Sequence, residues 1–294
     1  MTYSGADLHL PLGSCPDGAD PVVVTPESAR WAYSGLRVLR LAPGEARALE
    51  TGEHEMAVLP LKGGCTVEAE GRRFELEGRE SVFARVSDFA YVPMGAELRI
   101  ASAGGGEFAL ATAKATRKMA PAYGPAEEVE VSVRGAGAAS RQITDFLMAG
   151  VGMADKLLAV EVITPAGNFS SYPPHKHDTW DPEAPEAELE EIYFFEFSGE
   201  GGYGMFHQWK EGEFAMTEVV RPGDVVLCPY GYHGPTAAVP GHHMYFLNVM
   251  AGPGDERVWH ATDDPAQAWA RRAWEGGEQD GRLPMTSHEG IVGG

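Results

Sequence analysis

Pro173-Pro174-His175-Lys176-His177-Asp178, then Glu190-Glu191-Ile192-Tyr193-Phe194-Phe195, then Gly223-Asp224-Val225-Val226-Leu227-Cys228-Pro229-Tyr230-Gly231-Tyr232-His233: these three stretches decide the fold. On an extended segment, residues two apart point to the same side, so His175 and His177 can share one metal ion while Lys176 points away. Glu191 enters an aromatic strand, where a charge needs a partner. The alternation Glu191, Tyr193, Phe195, Phe197 puts Glu191, rather than Glu190, on one face with aromatics. The third stretch reads as a buried strand, a glycine turn and a third histidine, His233. Three imidazoles and one carboxylate suit a divalent cation.

The rest of the chain reads as β structure. Its 37 glycines and 21 prolines cut it into short segments, many with alternating polar and apolar residues. Thr66–Glu70, Gly71 and Arg72–Leu76 read as a hairpin, and Asp224–Pro229 as a buried strand. Two helices are expected. Pro265–Trp274 has Asp263 or Asp264 as cap and Arg271 and Arg272 near its end, and Gln142–Ala149 is a weaker candidate.

A shift of 136 residues superposes Glu55 on Glu191 and Gly63 on Gly199. It also lays Pro93-Met94-Gly95-Ala96-Glu97 on Pro229-Tyr230-Gly231-Tyr232-His233, with Glu97 at the position of His233. Two related barrels would produce this repeat. The expected division is residues 1–135, a degenerate half without a metal site, and 136–294, a metal-binding half with a helical tail.

Charge narrows the choice of partners. Against 23 Lys+Arg stand 43 Asp+Glu, a formal charge of −20, which excludes a nucleic-acid or anionic-membrane binder as a first reading. Residues 1–147 hold 15 basic and 20 acidic side chains and residues 148–294 hold 8 and 23, so the second half carries −15 of the total along with eight of the ten histidines. Cys15, Cys65 and Cys228 form no C-x-x-C pair and suggest free thiols. With no signal-peptide pattern at the start and no run of 18 apolar residues, a cytoplasmic protein is expected.

The spacing of the three stretches resembles the cupin signature, G-x5-HxH-x3,4-E-x6-G followed by G-x5-PxG-x2-H. Here thirteen residues separate His177 from Glu191, and His233 falls one residue earlier than the generic spacing. A longer set of residues, Ser170–Asp178, Leu189–Tyr193, Gly231–His233 and Tyr245–Pro253, looks like the 5-deoxy-glucuronate isomerase family of myo-inositol catabolism, which is related to 5-keto-4-deoxyuronate isomerase.

The resemblance implies an all-β bicupin of two jelly-roll barrels with a short C-terminal helix. It implies His175, His177, Glu191 and His233 as ligands of a divalent ion, with zinc expected and manganese, iron or nickel as alternatives. It also implies a small anionic sugar-acid substrate and aldose–ketose isomerisation through a cis-enediolate, giving 2-deoxy-5-keto-gluconate. A homo-oligomer is expected from the way cupin sheets pair.

Lys176, Glu218 and Tyr245 are candidates for the general base, and Arg141 and Arg221 for binding the substrate carboxylate. The role of His242 and His243 is open. A cupin dioxygenase holding iron on the same ligands is the competing enzyme class, and a non-catalytic sugar-binding bicupin is the third reading.

Overall fold

Apolar runs broken by glycine and proline turns become strands throughout the chain, as a computed structural model covering residues 2–293, apart from 182, 184 and 185, describes. In chain order the strands of the first half and its flanks are β1 (His9–Leu10), β2 (Val22–Val24), β3 (Ser34–Leu41), β4 (Ala46–Glu50), β5 (His54–Ala69), β6 (Arg72–Arg79), β7 (Phe89–Val92), β8 (Glu97–Ala101), β9 (Gly106–Lys114) and β10 (Ala122–Gly124). There follow β11 (Glu130–Arg134), β12 (Arg141–Asp145), β13 (Leu158–Thr164), β14 (Phe169–Ser170), β15 (His175–Lys176), β16 (Asp178–Asp181) and β17 (Glu186–Glu188). Then come β18 (Glu190–Phe197), β19 (Gly204–Lys210), β20 (Phe214–Val220), β21 (Val225–Cys228), β22 (Tyr232–Ala238), β23 (Met244–Ala251) and β24 (Thr262–Asp263), and last the short pair β25 (Thr286–Ser287) and β26 (Gly290–Ile291).

They build two cupin-type barrels. In the first, the long strand β5 pairs with β7 and β9 through its opening residues and with β6 and β8 through its closing ones, so one strand serves both walls. In the second, a sheet ordered β1-β21-β18-β23-β13-β12-β11 faces a smaller one ordered β20-β19-β22-β15-β24, with β14 beside β22. The N-terminal strand β1 thus belongs to the second barrel. The expected division between residues 135 and 136 falls at the turn joining β11 to β12, both strands of the seven-stranded sheet.

The seven-stranded sheet is buried on both faces. Tyr193 and Phe195 pack with Phe206 and Phe246 inside the barrel. Ile192, Phe194, Leu247 and Val249 belong to a core that continues through Leu36, Ala57, Leu59 and Ala111 of the first half. Such strands read as continuous apolar runs rather than clean alternation. A separate core, including Leu39, Met56, Val58, Val67, Leu98, Ile100, Phe108 and Leu110, fills the first barrel.

Polar groups lock the halves together. Glu55 is fully buried and accepts hydrogen bonds from the Tyr91 hydroxyl (2.6 Å) and from the backbone N–H groups of Asp155, Lys156 and Leu157 (2.8, 2.6 and 2.6 Å). The Arg79 guanidinium ion-pairs with Glu161 in an equally buried setting.

The hairpin expected around Gly71 is present, with Ala69 opposite Arg72 and with Glu70 and Gly71 at φ of 51° and 70°, as a two-residue turn requires. The helix expected over Gln142–Ala149 is absent. Residues 141–145 instead form the strand β12, in which Ile143 and Thr144 are bonded between Val131 and Ser132 on one side and Glu161 and Val162 on the other. The alternating order Arg141-x-Ile143-x-Asp145 has the period of a strand and prevails over local helix propensity. The C-terminal helix is shorter than expected, Trp269–Ala273, after a turn in which Asp264 accepts from the Ala266 N–H. Among the described residues no helix is long and apolar enough to cross a membrane.

Candidate metal centre and substrate cavity

β15 lies beside β22 with His175 directly opposite His233. His177 follows two residues on, and Glu191 is the second residue of β18 on the facing sheet. One nitrogen from each of His175, His177 and His233 falls within 4.8 Å of the others. Glu191 Oε2 lies 3.0 Å from His177 Nε2 and 3.1 Å from His233 Nε2. The four residues predicted as ligands therefore converge.

The carbonyl of Leu189 receives the Nδ1–H of His177, and that of Pro173 the Nδ1–H of His175, each at 3.0 Å. With Nδ1 spent on a carbonyl, each ring turns Nε2 toward the site, as histidine ligands usually do, and that of His177 is hydrogen-bonded to Glu191 Oε2. His233 Nε2 is buried and, although close to Glu191, lacks the alignment of a hydrogen bond, so it has no hydrogen-bond partner among the described residues. An orphaned imidazole nitrogen is costly in a closed barrel, and a bound cation relieves that cost. The donor set fits a divalent ion.

Burial pushes the His175 imidazole well below its ordinary pKa, reinforced by neighbouring His233, which keeps it neutral. For Glu191, burial acts upward, but the adjacent His177 and His233 outweigh it and keep the carboxylate ionised. Neutral nitrogen and ionised oxygen are the forms that bind metal.

A cavity of about 70 Å³ opens onto His175 and Glu191. Its wall is the inner face of β18, β23, β13, β12 and β11, carrying Tyr193, Asn248, Val160, Asp145, Arg141 and Arg134; Trp259 lies 5.9 Å from the His175 ring at one side. Burial, with Arg134 and Arg271 nearby, lowers the pKa of the Arg141 guanidinium to about 10, so it stays cationic at neutral pH. A larger groove of about 1000 Å³ lies on the first half; its rim mixes Arg40, Lys62 and Arg85 with Glu77, Glu80 and Glu107, and it reaches none of the four convergent residues.

Of the acid–base and carboxylate-binding candidates, the structure brings only Arg141 to this cavity. The Lys176 ammonium is bonded to Asp178 and Glu186, both at 2.7 Å; despite burial, those carboxylates raise its pKa and keep it protonated, unsuited to act as a base. Tyr245 occupies the opposite face of β23 from Phe246 and Asn248, and its hydroxyl donates to Glu161 at 2.5 Å, toward the first half. Glu218 lies on β20, 3.9 Å from His9. The Arg221 guanidinium packs over Tyr203, and the residue's backbone N–H donates to Asp224.

His242 and His243 have structural roles, the first bonded to the Ser198 carbonyl and the second accepting from the Ala166 N–H. Sequence reasoning missed Arg134, Asp145 and Asn248. The alternation along β12 was the signal for Asp145, and reading that segment as a helix concealed it.

The first barrel shows the corresponding positions without such residues. Leu49 is paired with Leu98 as His175 is with His233. Met56 lies between Val92 and Thr112 as Glu191 lies between Cys228 and Met250. The position two beyond Leu49 is Thr51, whose hydroxyl is spent on the Pro93 carbonyl. Leu49, Thr51, Met56 and Leu98 thus occupy the four positions. The constant offset of 136 fails by one residue at Glu55, and a one-residue slip turns a side chain to the other face of its sheet. Glu55 consequently clamps the interface, and Glu97 is exposed.

A family model described as KduI/IolB matches residues 13–270. The chain belongs to the KduI/IolB family. Among relatives within the family's range, the 5-deoxy-glucuronate isomerase of Geobacillus kaustophilus is 38% identical over 265 residues, covering 89% of this chain and 94% of that protein. The 5-deoxy-glucuronate isomerase of Bacillus subtilis strain 168 is 34% identical over 250 residues, covering 84% and 90%. The crystal structure of an IolB-like protein from Salmonella typhimurium LT2 superposes with a TM-score of 0.83 at 31% identity, over 90% of this chain and 99% of that one. Oxalate decarboxylase of Bacillus subtilis shares the fold at a TM-score of 0.62 and 14% identity, covering 90% and 80%.

Proposed function

We propose that this KduI/IolB protein isomerises 5-deoxy-glucuronate to 2-deoxy-5-keto-gluconate, a step of myo-inositol catabolism in the cytoplasm, with His175, His177, Glu191 and His233 holding a divalent ion, zinc first among the choices. The observation that carries the reading is the convergence of three imidazoles and one ionised carboxylate at one end of a cavity whose wall also presents Arg134 and Arg141. An open-chain sugar acid is polar at its aldehyde end and anionic at the other, and this cavity has matching ends.

When bound, the ion supplies Lewis-acid polarisation of the C1 and C2 oxygens. The protein's own residues do the rest. Arg141, with Arg134 beside it, attracts and orients the distal carboxylate, which fixes the direction in which the chain enters. Met250, in the row of Glu191, and Val160, in the next, exclude water around the carbons between which the proton moves. The reaction moves the C2 proton to C1 and the O2 hydroxyl proton to O1 through a cis-enediolate, with no net oxidation and no oxygen consumed.

The experiment is an anaerobic assay with 5-deoxy-glucuronate, paired with elemental analysis of the purified protein. Full turnover under argon, one equivalent of a divalent metal per chain and loss of both in His177→Ala support the reading. Turnover that requires oxygen would make the site that of a dioxygenase, and unchanged turnover in His177→Ala would remove the metal centre from the mechanism.

A further inference from the structure

The wall of the cavity is ordered along its strands. Strand pairing aligns Tyr193, Asn248, Val160 and Asp145 in one row across β18, β23, β13 and β12. One step farther from Glu191 along β18, pairing aligns Phe195, Phe246, Val162 and Ile143. Beyond that lie Arg141 and, opposite it, Arg134. From Glu191 outward the inner face therefore reads metal-ligating, polar, apolar, cationic.

Two atoms of the polar row are left without partners. Asp145 Oδ1 and Asn248 Nδ2 are both buried and form no hydrogen bond among the described residues, although both residues line the cavity. One is an acceptor and the other a donor, and they flank Val160 on adjacent strands. A ligand hydroxyl between them can donate to Asp145 while accepting from Asn248, satisfying two otherwise costly buried groups. Among the residues that line the cavity, the next row offers no polar side chain. Successive rows are about 7 Å apart along a strand, but Arg134 leans back, its Nη2 reaching 3.8 Å from Asp145 Oδ2, which shortens the distance a ligand must span.

We infer that Asp145 and Asn248 form a hydroxyl-reading pair for the middle of the substrate chain, and that the apolar row of Ile143, Val162 and Phe246 selects a methylene over a hydroxyl-bearing carbon at position 5. This deepens the isomerase reading and rests on it for the orientation of the substrate. In 5-deoxy-glucuronate the order is C1 and C2 oxygens, C3 and C4 hydroxyls, a bare C5 and a C6 carboxylate. The wall presents matching groups in the same order. Asp145 and Asn248 then supply affinity, because a site built to bond a hydroxyl strongly rejects a ligand lacking it, whereas the apolar row discriminates by about 10- to 100-fold against an added hydroxyl.

The test is calorimetric titration of the metal-loaded, full-length protein with the C1-alcohol analogues of 5-deoxy-glucuronate and of glucuronate, neither of which can isomerise. The wild type should bind the deoxy analogue at least tenfold more tightly. Asp145→Asn and Asn248→Ala should each weaken that binding about tenfold or more, and Val162→Thr should narrow the preference to a few-fold. Equal affinity of the wild type for the two analogues, or unchanged affinity in both polar variants, overturns the inference. Should Asp145→Asn fail to fold, the wild-type preference and Val162→Thr decide the matter. If selective binding is found but 5-deoxy-glucuronate is not turned over, the isomerase reading falls while the hydroxyl-reading pair stands; normal turnover without selectivity does the reverse.

Discussion

Tyr245 and the ion pair behind it offer a direct test of which face of the seven-stranded sheet is chemical. Arg79 and Glu161 are buried to within a few percent. The Arg79 guanidinium also donates to the carbonyls of Pro60 (2.9 Å) and Arg85 (3.2 Å), and Glu161 accepts from the Tyr245 hydroxyl. Removing one member leaves the other as an uncompensated buried charge, which costs about 3–5 kcal/mol, whereas replacing both with apolar side chains is close to neutral for the pair itself. In the double variant Arg79→Met, Glu161→Leu, the two carbonyls and the tyrosine hydroxyl still lose their partners, worth about 1 kcal/mol each. The two single variants should therefore sum to about 6–10 kcal/mol, and the double variant should cost only about 3. In a chain of this size each kcal/mol lowers Tm by about 2 °C, so the singles should melt about 6–10 °C low and the double about 6 °C low. Calorimetry or circular-dichroism melts give these values directly. Additive losses would show that the pair is not coupled and would refute the reasoning. Tyr245→Phe should lose about 1 kcal/mol of stability and keep kcat, because its hydroxyl faces the first half; a hundredfold fall in kcat would restore it as an acid–base candidate.

Glu55→Ala orphans three buried backbone N–H groups and a tyrosine hydroxyl, and should destabilise the protein by about 4 kcal/mol or more in urea unfolding. Glu191→Gln should leave the fold intact but lower the metal retained after dialysis at least tenfold, measured by elemental analysis, since the donor oxygen loses its charge. Burial, aided by Glu107 and Asp224, raises the Glu196 carboxyl to about 7 from its ordinary 4.5. The folded state then holds a proton that the unfolded state has released between these values, so stability falls as pH rises from about 4.5 through 7. Glu196→Gln should remove that slope and stabilise the protein above pH 7 by about 3 kcal/mol, read from Tm across pH; an unchanged slope assigns it to other groups. With a net charge of −20, the global field opposes an anionic substrate. Added salt should accordingly lower KM modestly, and a steep rise would show that long-range attraction dominates.

The parts of the site legible in the sequence were those whose spacing is local. His175 and His177 sit two apart on an extended segment, and the alternation from Glu191 to Phe197 assigns the carboxylate its face without any tertiary information. The asymmetry of charge and histidine between the halves was also visible, and it coincides with the convergent residues. The parts that were not legible depend on which side of a doubly buried sheet a residue occupies. Tyr245 and Asn248 are three residues apart on β23, both buried, and only pairing with β13 and β18 separates the one that meets Glu161 from the one that meets the cavity. A two-sided apolar strand carries no alternation to tell its faces apart.

The same logic explains why the repeat was seen and yet misaligned. In the first barrel four residues, Gly52 to Glu55, separate Thr51 from Met56, the generic cupin interval. In the second, thirteen separate His177 from Glu191, because the β16–β17 hairpin lies between these two proposed ligands. Asp178, at the root of that hairpin, is bonded to Lys176, to Lys210 and to the Gly231 N–H, two residues before His233. The hairpin thus does not loosen the site. Its base is tied to both histidine-bearing segments, and two of its acidic residues, Asp178 and Glu186, are spent on those ties. Asp178→Ala should for this reason weaken metal retention although Asp178 is not a ligand, while Thr179→Ala, which loses only an exposed side-chain bond to Asp178, should not. Equal retention in both variants would separate the hairpin from the metal centre and leave the long gap before Glu191 without a structural role.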